Sequence, residues 1–145
     1  MDADTQKAKH YLQQQDCTCV LIRADRVFSS HQRGVRPLLE LLESGKDYRG
    51  FCAADKVVGR ATAFLYCLLG VKSIYAGVLS QPAAQVLEEA GILVYTDRLV
   101  PGIRNRTDTG PCPMEAATEN IRDPRQALEA IGRTLEKLSN RDVTP

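Results

Sequence analysis

Two short stretches gather side chains able to move a proton, attack a carbon or hold an anion. The first is Cys52-Ala53-Ala54-Asp55-Lys56-Val57-Val58-Gly59-Arg60-Ala61, and the second is Cys112-Pro113-Met114-Glu115. In the first, an acid adjoins a cation. Asp55 at a helix start reads as an N-cap, its carboxylate accepting N–H groups of the first turn. Lys56 fits that structural reading less well, because a cation in a first turn opposes the helix dipole. An adjacent acid or an anionic ligand offsets this, and a Lys against an apolar wall has a lowered pKa. The functional reading is that Lys56 contacts an anionic or carbonyl group while Asp55 accepts or relays a proton. Arg60, one turn later on an apolar helix, then pairs with Asp55 or with a ligand phosphate. Cys52, on the preceding strand, is either a small apolar residue pointing inward or part of the same wall.

In the second stretch, Pro113 at the first helical position makes Cys112 the N-cap and Glu115 the third helical residue. That is a capping box with a thiol where a hydroxyl is usual. Ser or Thr would do the structural job better, so Cys112 is a candidate nucleophile, redox thiol or ligand contact. The helix N-terminus lowers a thiol pKa, and Glu115 partly opposes that. The catalytic candidates are therefore Asp55, Lys56, Cys112 and Glu115, with Cys52 and Arg60 as ligand contacts. A zinc site needs at least three protein ligands at about 2.0–2.3 Å. There is no Cys-x-x-Cys, and His10 and His31 read as surface residues outside the site. Cys52, Cys112 and Asp55 are the set left, and they supply zinc ligands only where the fold brings all three together; the expectation is neither a metal nor a cofactor. Glycine-rich phosphate loops and a Gly-x-Ser-x-Gly elbow are absent from the sequence. Cys67, and Cys17 with Cys19 on one side of a strand, read as core.

The elements that must position these groups alternate along the chain. A helix from about Asp4 to Gln15 precedes an apolar strand, Cys17 to Arg23, which turns at Ala24-Asp25 and returns through Arg26 to Ser30. Pro37 opens a short leucine-rich helix closed by Ser44-Gly45. Gly50 to Ala54 reads as a buried strand, followed by a helix from about Lys56 to Leu69 that is apolar nearly all round. Val71 to Leu79 is a strand, Gln81 to Ala90 a helix, and Ile92 to Tyr95 a strand. Asp97 to Pro111 reads as a loop. Helices follow near Pro113 and after Asp123-Pro124. A hairpin feeding parallel strand–helix–strand units gives an α/β fold, a three-layer α-β-α sandwich with a mixed sheet. A flavodoxin-like sheet is the alternative, against which the initial hairpin argues.

That order resembles the cytidine-deaminase-like fold. In that family the helix after the hairpin begins His/Cys-Ala-Glu, and the next strand leads into Pro-Cys-x-x-Cys, together holding zinc. Here Ala53-Ala54-Asp55 stands at the first motif. In the window Ser80 to Val86, Pro82 is retained while Ala83 and Val86 occupy the cysteine positions. From about Asp4 to Leu138 the chain also resembles a small prokaryotic family of unknown function, DUF1893, carried by the windows Cys52–Ala61 and Cys112–Glu115. The resemblance implies a deaminase-like fold without deaminase zinc ligands. Without zinc there is no activated hydroxide to attack a nucleobase carbon.

The bulk properties set outer bounds. The 145 residues suit one domain, 1–145, with a short disordered tail after about 140. Nineteen Lys plus Arg against 18 Asp plus Glu leave a formal charge of +1, so no nucleic-acid footprint is expected. Arg98, Arg104 and Arg106 read as a solvated loop. No apolar run approaches a membrane span and no secretory h-region opens the chain. Five cysteines, an odd number, fit free thiols in the cytoplasm. The leading expectation is a cleft walled by Cys52, Asp55, Lys56, Cys112 and Glu115 that binds a small polar molecule. A nucleotide-like compound is the first guess, with metal-free acid/base or thiol chemistry if there is turnover. The alternatives are a non-catalytic sensor or interaction module on the same scaffold, and a redox-responsive thiol protein. A homo-oligomer is also admitted.

Overall fold

The computed structural model describes residues 1–104, 110 and 112–143, with backbone alone for 140–143. The elements are α1 (Ala3–Gln14), β1 (Cys19–Arg23), β2 (Arg26–Ser30), α2 (Arg36–Glu43), β3 (Cys52–Val58) and α3 (Arg60–Leu69), then β4 (Ser73–Ser80), α4 (Gln81–Glu89), β5 (Leu93–Val100), α5 (Pro113–Thr118) and α6 (Pro124–Val143). The sheet order is β2-β1-β3-β4-β5. β1 is antiparallel to both neighbours, and β3, β4 and β5 are parallel. This is the mixed α-β-α sandwich expected from the hairpin and the alternation after it.

The layers are unequal. On one face, α2, α3, α4 and α6 bury Leu38, Phe64, Leu65, Leu87 and Ile131 against Leu21, Ala53, Ile74 and Leu79 of the sheet. On the other face α1 lays Ala8 and Leu12 over Val20, Ile22, Ala54 and Tyr75. The middle strands are therefore apolar on both sides, which is why β1 and the first half of β3 read as continuous apolar runs. α1 is capped by the Asp2 carboxylate, and Ser80 Oγ accepts the Ala83 N–H at 3.1 Å to start α4. The hairpin turn lacks glycine, and Ala24 takes φ 55° there.

Four boundaries differ from the sequence expectation. β3 continues through Val58, Gly59 is the N-cap of α3, and the helix begins at Arg60 rather than near Lys56. Asp55 is consequently a mid-strand residue, opposite Cys19 of β1 and Ala76 of β4, and is no N-cap. β5 runs on to Val100 through residues expected to be loop. α6 runs to Val143, past the expected start of a tail. Cys17 and Cys19 do not share a side: Cys17 packs under α1, whereas Cys19 stands across from Asp55. Arg98 is an exposed residue of β5, and Arg106 lies outside the described residues. No helix among the described residues is long and apolar enough to cross a membrane.

Candidate functional site

β3 sends its side chains alternately to the two faces, and this divides the first constellation. Ala53 and Asp55 face α3, while Cys52 and Ala54 face α1. Asp55 Oδ2 accepts the Tyr66 hydroxyl of α3 at 2.7 Å, and Oδ1 accepts the Val57 N–H at 3.2 Å. Burial pushes this carboxyl up to about 7, although Tyr66 and the N–H groups of Val57 and Lys56 favour its ionised form. No cation is among the groups that act on it. Burial, with the Asp55 charge adding to it, holds the Cys19 thiol and the Tyr66 hydroxyl well above their ordinary values. In this trio, in which Asp55 keeps some exposure, Asp55 alone changes charge near neutrality.

Lys56 belongs to the opposite side. It lines an open cleft of about 620 Å³ between the end of α1 (Leu12 to Gln14), Gln15 and Asp16, and the later parts of β3 and β4 (Tyr75, Gly77, Val78). Its side chain is exposed and makes no ion pair or hydrogen bond with any described residue. The strands approach closely here: a Cβ on Gly77 would lie 2.9 Å from the Lys56 carbonyl oxygen. The alternation also slips. Asp55 and Val58 both face the α3 side, as do Ala76 and Leu79, although each pair is an odd number of residues apart. A slip of this kind re-aims side chains locally.

The second constellation is built differently from a capping box. Pro113 does open α5 and Cys112 is its N-cap, but the thiol makes no capping bond. The Cys112 N–H donates to the Ile103 carbonyl at 2.9 Å. Glu115 turns away from its own helix and accepts the Arg60 N–H, capping α3 instead. The fit is tight enough that a Cβ on Gly59 would fall 1.9 Å from Glu115 Oε1. Burial raises the Glu115 carboxyl, and the Arg60 N–H and charge work against that. Arg60 does not bond to Asp55, which pairs with Tyr66 instead; it lines a second cavity of about 510 Å³ with Phe64, Cys67 and Arg122. Its guanidinium donates to the carbonyls of Thr118, at 2.8 Å, and Ile121, and stacks over Phe64. Glu115 answers the objection to a cation in a first turn, since its carboxylate sits at the positive end of α3.

Cys52 is buried at the start of β3, its thiol donating to Asp2 Oδ1 at 3.4 Å. Sequence reasoning missed this corner, where Asp2, Thr5 and Ser73 bond one another over more than sixty residues of chain. It also missed Tyr66 as the partner of Asp55. The Asp2 cap on Thr5 is local, but Cys52 and Ser73 join that corner from 50 or more residues away, and Tyr66 meets Asp55 from the next helix, where no spacing reports it.

The six singled-out residues therefore occupy separate places: Cys52 near the α1 N-terminus, Asp55 under α3, Lys56 in the open cleft, and Arg60, Cys112 and Glu115 around the α3–α5 junction. Cys52 and the end of β3 are six residue steps apart, about 20 Å. Glu115 meets the chain just past that end, so Cys52 and Cys112 are too distant for the thiol pairing that a redox reading needs. Among the described residues, no three His, Cys, Asp or Glu side chains gather to hold a metal ion. The donor set does not fit the zinc that a deaminase-like fold implies. The motif windows also move. The helix after the hairpin is α2, opening Val35-Arg36-Pro37-Leu38, and the next strand leads into Gly59-Arg60-Ala61-Thr62-Ala63. Ala53–Asp55 lies within a strand, and Ser80–Val86 opens the helix one unit further on. Neither corrected window holds His or Cys.

Residues 7–135 match the family described as a domain of unknown function, DUF1893. No curated protein matches. Among solved structures, the chain is similar to a DUF1893 family protein from Thermotoga maritima at 24% identity, covering 94% of this chain and 92% of that one, with a TM-score of 0.79. It is less similar to a dCMP deaminase from the cyanophage S-TIM5, at 14% identity over 65% of this chain and 94% of that one, TM-score 0.44. A diaminohydroxyphosphoribosylaminopyrimidine deaminase/5-amino-6-(5-phosphoribosylamino)uracil reductase from Thermotoga maritima has 13% identity over 63% of this chain and 35% of that one, TM-score 0.44.

Proposed function

The chain belongs to the DUF1893 family, and from that premise we propose that it is a small-molecule-binding domain whose ligand lies in the cleft beside Lys56. The observation that carries this reading is the exposed Lys56 ammonium, without an ion pair or hydrogen bond among the described residues, on the wall of a cleft of about 620 Å³. That volume suits a small polar molecule. Tyr75 and the backbone at Gly77 supply a close apolar and amide wall, and Lys56 supplies a charge for an anionic or carbonyl group. Nucleotides are the first class to test.

Binding without hydrolytic turnover is favoured by Glu115 and Arg60. Both are consumed in holding α3 to α5, so neither is free for acid/base work. Asp55 lies half-buried against Tyr66 on the other face of the sheet from Lys56. Amide NMR titration with CMP, AMP and inorganic phosphate tests the reading. The expected result is shifts confined to Asp16, Lys56, Gly77 and Val78, with affinity weakened about tenfold or more in Lys56→Glu. Shifts elsewhere, or equal affinity in the variant, would refute it. Conversion of the nucleotide by the wild type, lost in Asp55→Asn, would make the domain an enzyme.

A further inference from the structure

Asp55 and Lys56 are adjacent in sequence and face opposite sides of the sheet. Between the Asp55 trio and the open cleft there is only one strand of backbone. The Asp55 carboxyl grips that backbone: Oδ2 is anchored to Tyr66 on α3, and Oδ1 takes the Val57 N–H two residues on. The Lys56 N–H meanwhile donates to Thr18 on the β1 side, and the Lys56 carbonyl sits against Gly77. The peptide units on either side of Lys56 are thus fixed by Asp55, Thr18 and Gly77. This is also where the alternation of β3 and β4 slips, which sets the direction in which Lys56 projects.

We propose that Asp55 is a positioning residue for the Lys56 cleft: by holding the Val57 N–H it sets the backbone turn that presents Lys56, so that a proton gained or lost by Asp55 under α3 is felt in the cleft on the other face. The inference rests on the binding reading for its purpose, but the coupling itself needs no ligand. An ionised Asp55 accepts both bonds. A protonated one must spend one oxygen as a donor, and the neutral acid is a weaker acceptor for Val57. The groups facing the carboxyl are Tyr66 from α3 and Cys19 from β1. β4 contributes Ala76, which carries no charge. Neither Tyr66 nor Cys19 ionises near neutrality, so the switch reduces to one proton. Burial raises the carboxyl into the range where that proton exchanges near pH 7.

The test is an amide NMR titration from pH 5.5 to 8.5 on the ligand-free protein, for wild type, Asp55→Asn and Tyr66→Phe. In the wild type, the amides of Lys56, Val57, Gly77 and Val78 should move together with one midpoint near 7. Asp55→Asn should abolish that transition. Tyr66→Phe, which removes a donor to the ionised form, should raise the midpoint by about one pH unit. A flat wild-type profile overturns the proposal, and so does a transition that survives in Asp55→Asn. Should Asp55→Asn fail to fold, an unmoved midpoint in Tyr66→Phe does the same. Failure of CMP and phosphate to bind would count against the binding reading alone, since these shifts are read without either.

Discussion

Replacing Asp55 by Asn should make the protein less sensitive to alkaline pH. Folding moves this carboxyl from its ordinary value of 3.8 to about 7, with removal from water as the main cause. The folded state therefore holds the proton more tightly than the unfolded chain. Stability is fully present below about 4, falls as pH rises towards 7, and levels off above it. At full burial the part of that fall between pH 5 and 8 is worth roughly 3 kcal/mol. Asp55 retains some exposure, so about 2 kcal/mol is the expected size. Asn avoids the charge and keeps both contacts, its oxygen taking the Val57 N–H and its amide donating to the Tyr66 oxygen; the Tyr66 hydroxyl loses its acceptor, a cost that does not vary with pH. Urea unfolding of both proteins at pH 5, 6, 7 and 8 measures this directly. The difference between the two curves also removes the contribution of Glu115, whose raised carboxyl titrates in both. Asp55→Asn should gain on the wild type by about 2 kcal/mol from pH 5 to 8. A difference that stays constant with pH would refute the claim that Asp55 titrates in the folded protein.

Three further expectations follow from the same geometry. Glu115→Ala should destabilise the fold by about 1–3 kcal/mol, because the Arg60 N–H loses its acceptor in a partly buried place, whereas Glu115→Gln keeps an acceptor and should cost about 1 kcal/mol or less; denaturant midpoints separate the two. Gly77→Ala should cost about 1–3 kcal/mol through the contact with the Lys56 carbonyl, and thermal melting reads it. Of the five thiols, Cys17, Cys19 and Cys52 are buried, and burial holds Cys67 up to about 11. A thiol reagent followed by peptide mapping should therefore label Cys112 first in the native protein, and early labelling of Cys52 would contradict the packing described.

Much of the architecture was written locally. Pro82 behind Ser80, Gly70 and Gly91 at helix ends, and Asp123-Pro124 each mark a boundary that the structure keeps. The boundary at Lys56 was not legible by apolar spacing. Val57 and Val58 precede an apolar helix in a phase that fits a helical face, and the end of β3, with Lys56 and Val57 exposed ahead of buried Val58, shows no alternation to contradict it. The β-branched pair and Gly59 were the signals for a strand ending there. β5 was cut short for the opposite reason: Thr96 to Val100 is an exposed edge whose sequence has no buried side to show. At the candidate site, Lys56 was singled out because a cation looked misplaced in a first turn. It lies instead on a strand, and Arg60 is the cation that occupies the first turn of α3. Glu115 was noticed as a cap, but its target lay far away in the chain, where no sequence spacing reports it.

That distance has a consequence for how the chain becomes structured. The cap of the central helix is supplied 55 residues downstream of the N–H it satisfies. During synthesis the strands and helices up to β5 emerge while the start of α3 is still bare and the Arg60 guanidinium has neither of its carbonyl acceptors. Chains are made at about 5–20 residues per second, so the nascent domain spends roughly 3–11 seconds with its central helix formed only as far as its own residues allow. The cap of α3 and the acceptors of the Arg60 guanidinium thus become available only once α5 and the residues up to Ile121 have been made.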